Sequence, residues 1–146
     1  MGLVAALALS IIGSGTAVAR KDDQWLRLLQ RQVNFTTGRG KGSPPGASSI
    51  QRAFTALVRD RGNGKFLALT TAAESAPRLY GLCGLRHLGA PEYDDVRRHL
   101  SQDLSVVSGL VGCIRLNDTV GGVLAHEYGK SGRTVFEVVC DDLVVR

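Results

Sequence analysis

The stretch Ser75–Gly89, SAPRLYGLCGLRHLG, leaves the rest of the chain little choice of architecture. Ser75 is a good helix cap, and Pro77 sits in the first turn, where its missing N–H is not needed. Gly89 closes the helix and Pro91 prevents continuation. Between them Leu79, Tyr80, Leu82, Cys83, Leu85 and Leu88 spread apolar surface around most of the circumference. A helix that is greasy on nearly all sides has to be surrounded. In a chain of 146 residues there is room for one domain. The prediction is a mainly α domain of four to five helices built around this one.

The neighbouring segments supply the surroundings. Ser49 caps a helix whose Ile50, Phe54, Leu57 and Val58 recur at helical spacing. Arg61-Gly62-Asn63-Gly64 ends it in turn residues, and Phe66–Ala73 reads as a second, shorter helix. Glu92, Asp94 and Asp95 load the first turn of another helix, where negative charge suits the dipole. Its inner face is Tyr93, Val96 and Leu100. Beyond Leu104 the character changes. Ser105–Leu116, SVVSGLVGCIRL, is β-branched and glycine-rich and fits a strand or an extended buried run. Asp118 is placed to cap a weaker helix over Thr119–Tyr128. The segments TVFEVVC and LVVR fit either a small C-terminal hairpin or a terminal helix, so a short β element near the C-terminus is kept as an expectation.

With Pro77, Arg78, Gly81, Leu82, Leu85 and Gly89 in this order, Ser75–Gly89 resembles the second helix of a HEAT-type repeat. That resemblance implies a helical hairpin and, in the family, a concave surface that binds other macromolecules. It covers one repeat, and no second copy recurs at a fixed period; a solenoid needs about three.

The amino terminus carries a different message. Leu3–Ile12 is almost wholly apolar and leads through small residues to Ala17-Val18-Ala19 and then to charge. This is the order of a secretory signal peptide over residues 1–19, and the run is too short to span a membrane. No Lys or Arg precedes it, which leaves an upstream start open. Residues 20–35 read as an N-terminal helical arm, with Trp25, Leu28 and Leu29 on one face. Residues 36–48, rich in Gly, Pro and Ser, read as a linker, and 49–146 as the helical domain. The expected location is secreted or periplasmic. There a pair of the three cysteines can be oxidised, and Cys83–Cys113 is the preferred disulfide because both lie in apolar segments.

Candidate chemistry is sparse. Val123–Lys130, VLAHEYGK, is similar to the H-E-x-x-H helix of zinc peptidases, in which two histidines one turn apart bind metal and the glutamate acts as base. Here His126 and Glu127 are present, but Lys130 stands at the second ligand position and an ammonium has no lone pair to give. Cys83 and His87, four residues apart on the central helix, fit a metal or nucleophile–base pair, set against burial of the thiol among leucines. GRGKGS, Gly38–Ser43, lacks the phosphate-loop spacing. Asn34-Phe35-Thr36 and Asn117-Asp118-Thr119 fit the glycosylation acceptor pattern. The net charge of +5 gathers locally at Arg39/Lys41, Arg59/Arg61/Lys65 and Arg97/Arg98. Few aromatics accompany it, so the charge reads first as a solvated surface and nucleic acid is not the expected partner; anionic envelope surfaces are kept as a second, weak contact.

The first reading is therefore an exported helical domain with a binding or structural role, an unknown protein partner, no catalytic residues and no cofactor. The second is a metal-dependent hydrolase using His126 and Glu127. The third is a fragment of a longer helical-repeat scaffold.

Overall fold

The computed structural model describes residues 15–40, 42–43 and 45–145. Helix α1 (Gly15–Gln30) is followed by strand β1 (Asn34–Thr36). Four helices come next: α2 (Ser49–Arg59), α3 (Asn63–Leu69), α4 (Ser75–Leu88) and α5 (Tyr93–Leu100). A hairpin of β2 (Val106–Val111) and β3 (Ile114–Thr119) leads into α6 (Val120–Ala125) and α7 (Val135–Leu143). The fold is thus mainly α with a small sheet, and among the described residues it has seven helices where four to five were expected.

The central helix is α4. It contacts α1, α2, α3, α5, α7, β1 and β2, and from Ala76 to Leu85 every residue but Arg78 is buried. Its closest approach is to α3. A Cβ on Gly81 would lie 2.6 Å from the Phe66 carbonyl oxygen, and one on Gly84 would lie 2.1 Å from the Phe66 ring. The two glycines let the two backbones meet. Helix α2 buries Ile50, Ala53, Phe54 and Leu57 as its spacing dictates. It is capped by Ser48, one residue before the expected Ser49, in a reciprocal capping box with Gln51. Gln51 and Thr55 are buried polar residues on this helix, and both serve the end of α7. Gln51 donates to the Asp142 carbonyl at 2.7 Å, while Thr55 donates to the Leu143 carbonyl at 3.4 Å and accepts from the Val145 N–H.

Residues 20–35, read as an arm, are packed into the same core as the rest. Leu29 and Phe35 are wholly buried, Lys65 of α3 bonds Asp22 of α1 at 3.0 Å, and Phe35 lies between Tyr80 and Phe136. The expected linker is the loop that returns from β1 to α2. The expected signal peptide falls mostly on residues outside the described ones; Gly15–Ala19 begin α1.

The β element lies earlier than the C-terminal one expected. Strand β2 pairs parallel with β1 and antiparallel with β3 in the order β1-β2-β3. The C-terminal segment is helix α7, begun by a capping box of Thr134 and Glu137. Helix α6 is capped by Thr119 and stops at Ala125, three residues short of its expected end.

The disulfide differs from the expected Cys83–Cys113 pair. Cys83 on α4 is joined to Cys140 on α7, with Cα atoms 5.3 Å apart, and Cys113 is an exposed free thiol. The physical reason is the hairpin. Gly112-Cys113 forms the turn between β2 and β3, so Cys113 projects at the tip of the sheet, whereas Phe136, Val139, Cys140 and Leu143 make the buried stripe of α7. One side chain holds helix and sheet in register. Arg78 donates to the carbonyls of Ala72 and Ala73, to Asp103 at 2.6 Å and to Ser105, tying the start of α4 to the entry of β2.

Candidate functional site

Pairing register decides which side chains meet on the sheet. Directly paired residues share a face, and alternate residues along a strand change face. Phe35, Gly109 and Leu116 form one inward row; Val107 and Val111 are buried on the same side of β2. On the opposite face Asn34, Ser108 and Asn117 line up across all three strands, and Thr36, Leu110 and Arg115 form the next row. Ser108, Asn34 and Asn117 are exposed.

The loop after β1 rises beside this face as a wall. Gly38 adopts a φ of 72°, and a Cβ there would press on the Ser48 hydroxyl, so the turn needs glycine. Its N–H is donated to the Thr36 hydroxyl, the Gly40 N–H to the Ser43 hydroxyl at 2.7 Å, and the Ser48 hydroxyl is donated to the Thr37 carbonyl. Gly40 lies against Leu110 and Gly112. Floor and wall enclose an open groove of about 950 Å³, lined by Asn34, Thr36, Arg39, Ser108, Leu110, Arg115, Asn117 and the loop residues.

Tyr80 fixes the floor from the side. Its buried hydroxyl accepts the Thr36 N–H at 2.9 Å and donates to the Thr36 carbonyl at 2.6 Å or the Asn34 carbonyl at 3.1 Å. It therefore satisfies the edge of β1 that faces away from β2. Burial pushes the phenol well above its ordinary value, outweighing the opposing hydrogen bond from Thr36, so Tyr80 stays protonated and acts as a structural pin.

The groove is electropositive. Among the described residues Arg39 and Arg115 have no acidic partner, and no acidic residue lines the groove. Of the other local basic groups, Lys65 bonds Asp22 and Arg98 bonds Asp95, Arg97 bonds the Tyr93 hydroxyl, and Arg59 and Arg61 are, like the groove arginines, without an acidic partner among the described residues.

The residues singled out for metal or nucleophilic chemistry are dispersed. His126 lies past the end of α6 in extended backbone, so positions 126 and 130 do not share a helix face. Its Nδ1 bonds Asp118 at 2.6 Å, while Glu127 accepts the Gly132 N–H and pairs with Thr134 in a tight turn. Among the described residues no three His, Cys, Asp or Glu side chains come together as a metal set. Cys83 is consumed by the disulfide, and His87 Nε2 lies 2.8 Å from the Cys140 carbonyl. Both therefore belong to the α4–α7 junction.

Sequence reasoning marked Asn34 and Asn117 as acceptor patterns and Arg39 as basic, but did not bring them together. The parallel pairing that does so joins residues more than seventy positions apart, and β1 is too short to carry an alternation signal. The one clue was Phe35, a large apolar residue beside a stretch read as linker. No helix among the described residues is long and apolar enough to cross a membrane. In comparison with known proteins, the chain matches no family model, no curated protein and no solved structure.

Proposed function

We propose that the chain is an exported, disulfide-stapled binding module that carries out no chemistry of its own and takes its ligand in the groove over the β1-β2-β3 face. The observation that carries this reading is the cross-strand row Asn34–Ser108–Asn117 beside Arg39 and Arg115. It gathers donors, acceptors and unpaired positive charge on a fixed platform, which is what recognition of a polar ligand requires. Export is supported by the apolar run ending in Ala17-Val18-Ala19 and by the Cys83–Cys140 pair, a linkage that persists in oxidising compartments.

The test places a photoreactive residue at Ser108, with a second at the exposed Glu74 as control, in the full chain produced in its own cells. Illumination is expected to give a conjugate from position 108 alone, in the exported fraction. Conjugates from both positions alike, or from neither, would refute the groove as the working surface. Recovery of the protein in the cytosol with residues 1–19 attached would refute export.

A further inference from the structure

Building on that reading of the groove, we infer that its ligand is an acidic oligosaccharide, held by its hydroxyls on the asparagine–serine row and by its carboxylate or sulfate groups on Arg39 and Arg115. The floor has the chemistry of sugar recognition. A sugar hydroxyl both donates and accepts, and so do the side-chain amides of Asn34 and Asn117 and the hydroxyl of Ser108. Three strands spaced by about 4.8 Å make a row roughly 10 Å across, a span that two pyranose rings cover. Beside it Leu110 is 38% exposed and offers an apolar contact for the C–H face of a ring.

Charge selects the acidic members of that class. Arg115 is paired with Leu110 across the hairpin and Arg39 stands on the wall. Neither has a carboxylate partner among the described residues, and guanidinium groups suit planar, bidentate anions.

Two other anionic ligands fit less well. A phosphate cradle works through free backbone N–H groups, but the Gly38 and Gly40 N–H groups are already bonded to Thr36 and Ser43. Single-stranded nucleic acid is held by stacking on aromatic rings, and among the described residues no aromatic side chain lines the groove.

The experiment titrates the full chain with hexagalacturonate and with a sulfated hexasaccharide, following backbone amide signals. Maltohexaose is the neutral control, and polyglutamate and polyphosphate are the charge-only controls. At least one acidic sugar is expected to shift Asn34, Ser108 and Asn117, to bind about tenfold more tightly than any control, and to weaken with added salt. Arg39→Gln and Arg115→Gln are each expected to weaken that binding about fivefold, and Arg59→Gln to leave it unchanged. Both arginines of the groove are exposed, so these variants keep the fold, which the amide spectrum verifies. Equal binding of maltohexaose, or of polyglutamate or polyphosphate, overturns the inference, as does binding indifferent to both groove arginines. Failure of both acidic sugars while position 108 still crosslinks a ligand sinks the sugar and leaves the binding module. Failure of the crosslink as well sinks both.

Discussion

Removing the Cys83–Cys140 bond should lower stability by an amount the structure allows to be worked out. The bond closes a loop of 57 residues. Chain-entropy reasoning assigns such a loop about 14 cal/mol/K, or about 4 kcal/mol at 25 °C. Both ends are buried, in the same core as Phe35, Phe54 and Phe136, so the folded state itself has little freedom to relax when the bond is opened. A domain of this kind has only about 5–15 kcal/mol in total, so the loss is a large share.

The assay is urea unfolding of the oxidised protein and of the double variant Cys83→Ala/Cys140→Ala, with and without reductant. The double variant should unfold at a much lower midpoint, reductant should bring the unsubstituted protein down towards it, and reductant should leave the variant unmoved. Cys113→Ala should shift the midpoint by no more than about 0.5 kcal/mol equivalent, because that residue is exposed at a turn. Coincident curves for the oxidised protein and the double variant would refute the reasoning. So would a non-reducing peptide map linking Cys83 to Cys113, since that bond would require the tip of the hairpin to enter the core.

Gly84→Ala should destabilise by about 2 kcal/mol, since a Cβ 2.1 Å from the buried Phe66 ring overpacks the α3–α4 contact; Gly64→Ala, with open space around it, should stabilise by up to about 1 kcal/mol. Urea midpoints decide both. Arg78→Met should cost about 3 kcal/mol by the same measure, because it strips partners from Asp103 and from two carbonyls at once. Acid should reveal two carboxylates. Asp103 is held below its ordinary 3.8, against the opposing effect of burial, by the Ser105 hydroxyl and N–H and by Arg78. Glu137 is held below its ordinary 4.5 by the Thr134 N–H, against a smaller opposing effect of burial, with the Thr134 hydroxyl adding to the lowering. The unfolded chain therefore takes up protons first as pH falls. The stabilisation is complete above those ordinary values and drains away below them. Asp103→Asn should make the acid limb of a stability–pH curve shallower, and an unchanged limb would count against the assignment.

Much of the helical part was legible because its signals are local. Ile50, Phe54 and Leu57 recur with helical period, Gly89 and Pro91 punctuate, and the apolar circumference of Ser75–Gly89 requires enclosure, which the structure provides. The misjudged parts depend on partners far away in sequence. Strand β1 is three residues long, too few to show alternation, and it exists because β2 and the Tyr80 hydroxyl satisfy its two edges. The Cys83–Cys113 pairing rests on the apolar segment around Cys113, against the two aspartates that follow Cys140; the turn at Gly112-Cys113 exposes the first, and the stripe of α7 buries the second. The H-E-Y-G-K letters suggested a helix that Gly121-Gly122 and the Glu127–Thr134 pairing confine to six residues.

The groove inherits this dependence on distant pairing. Its row cannot form until β1 lies parallel to β2, and the chain between them contains α2, α3, α4 and α5. A parallel connection of that length contributes nothing locally and is secured only when the helices have packed. Gly109 shows how tight the final step is, since a Cβ there would lie 2.0 Å from the Phe35 carbonyl oxygen. The groove is therefore present in the folded state and absent from the unfolded one, so a ligand that fills it raises stability logarithmically with its concentration above Kd. The disulfide enters the same balance from the other side, because opening it lowers the population in which Asn34, Ser108 and Asn117 stand together. Near the unfolding midpoint, reductant should therefore weaken apparent ligand affinity although neither cysteine touches the groove, and well below the midpoint it should not.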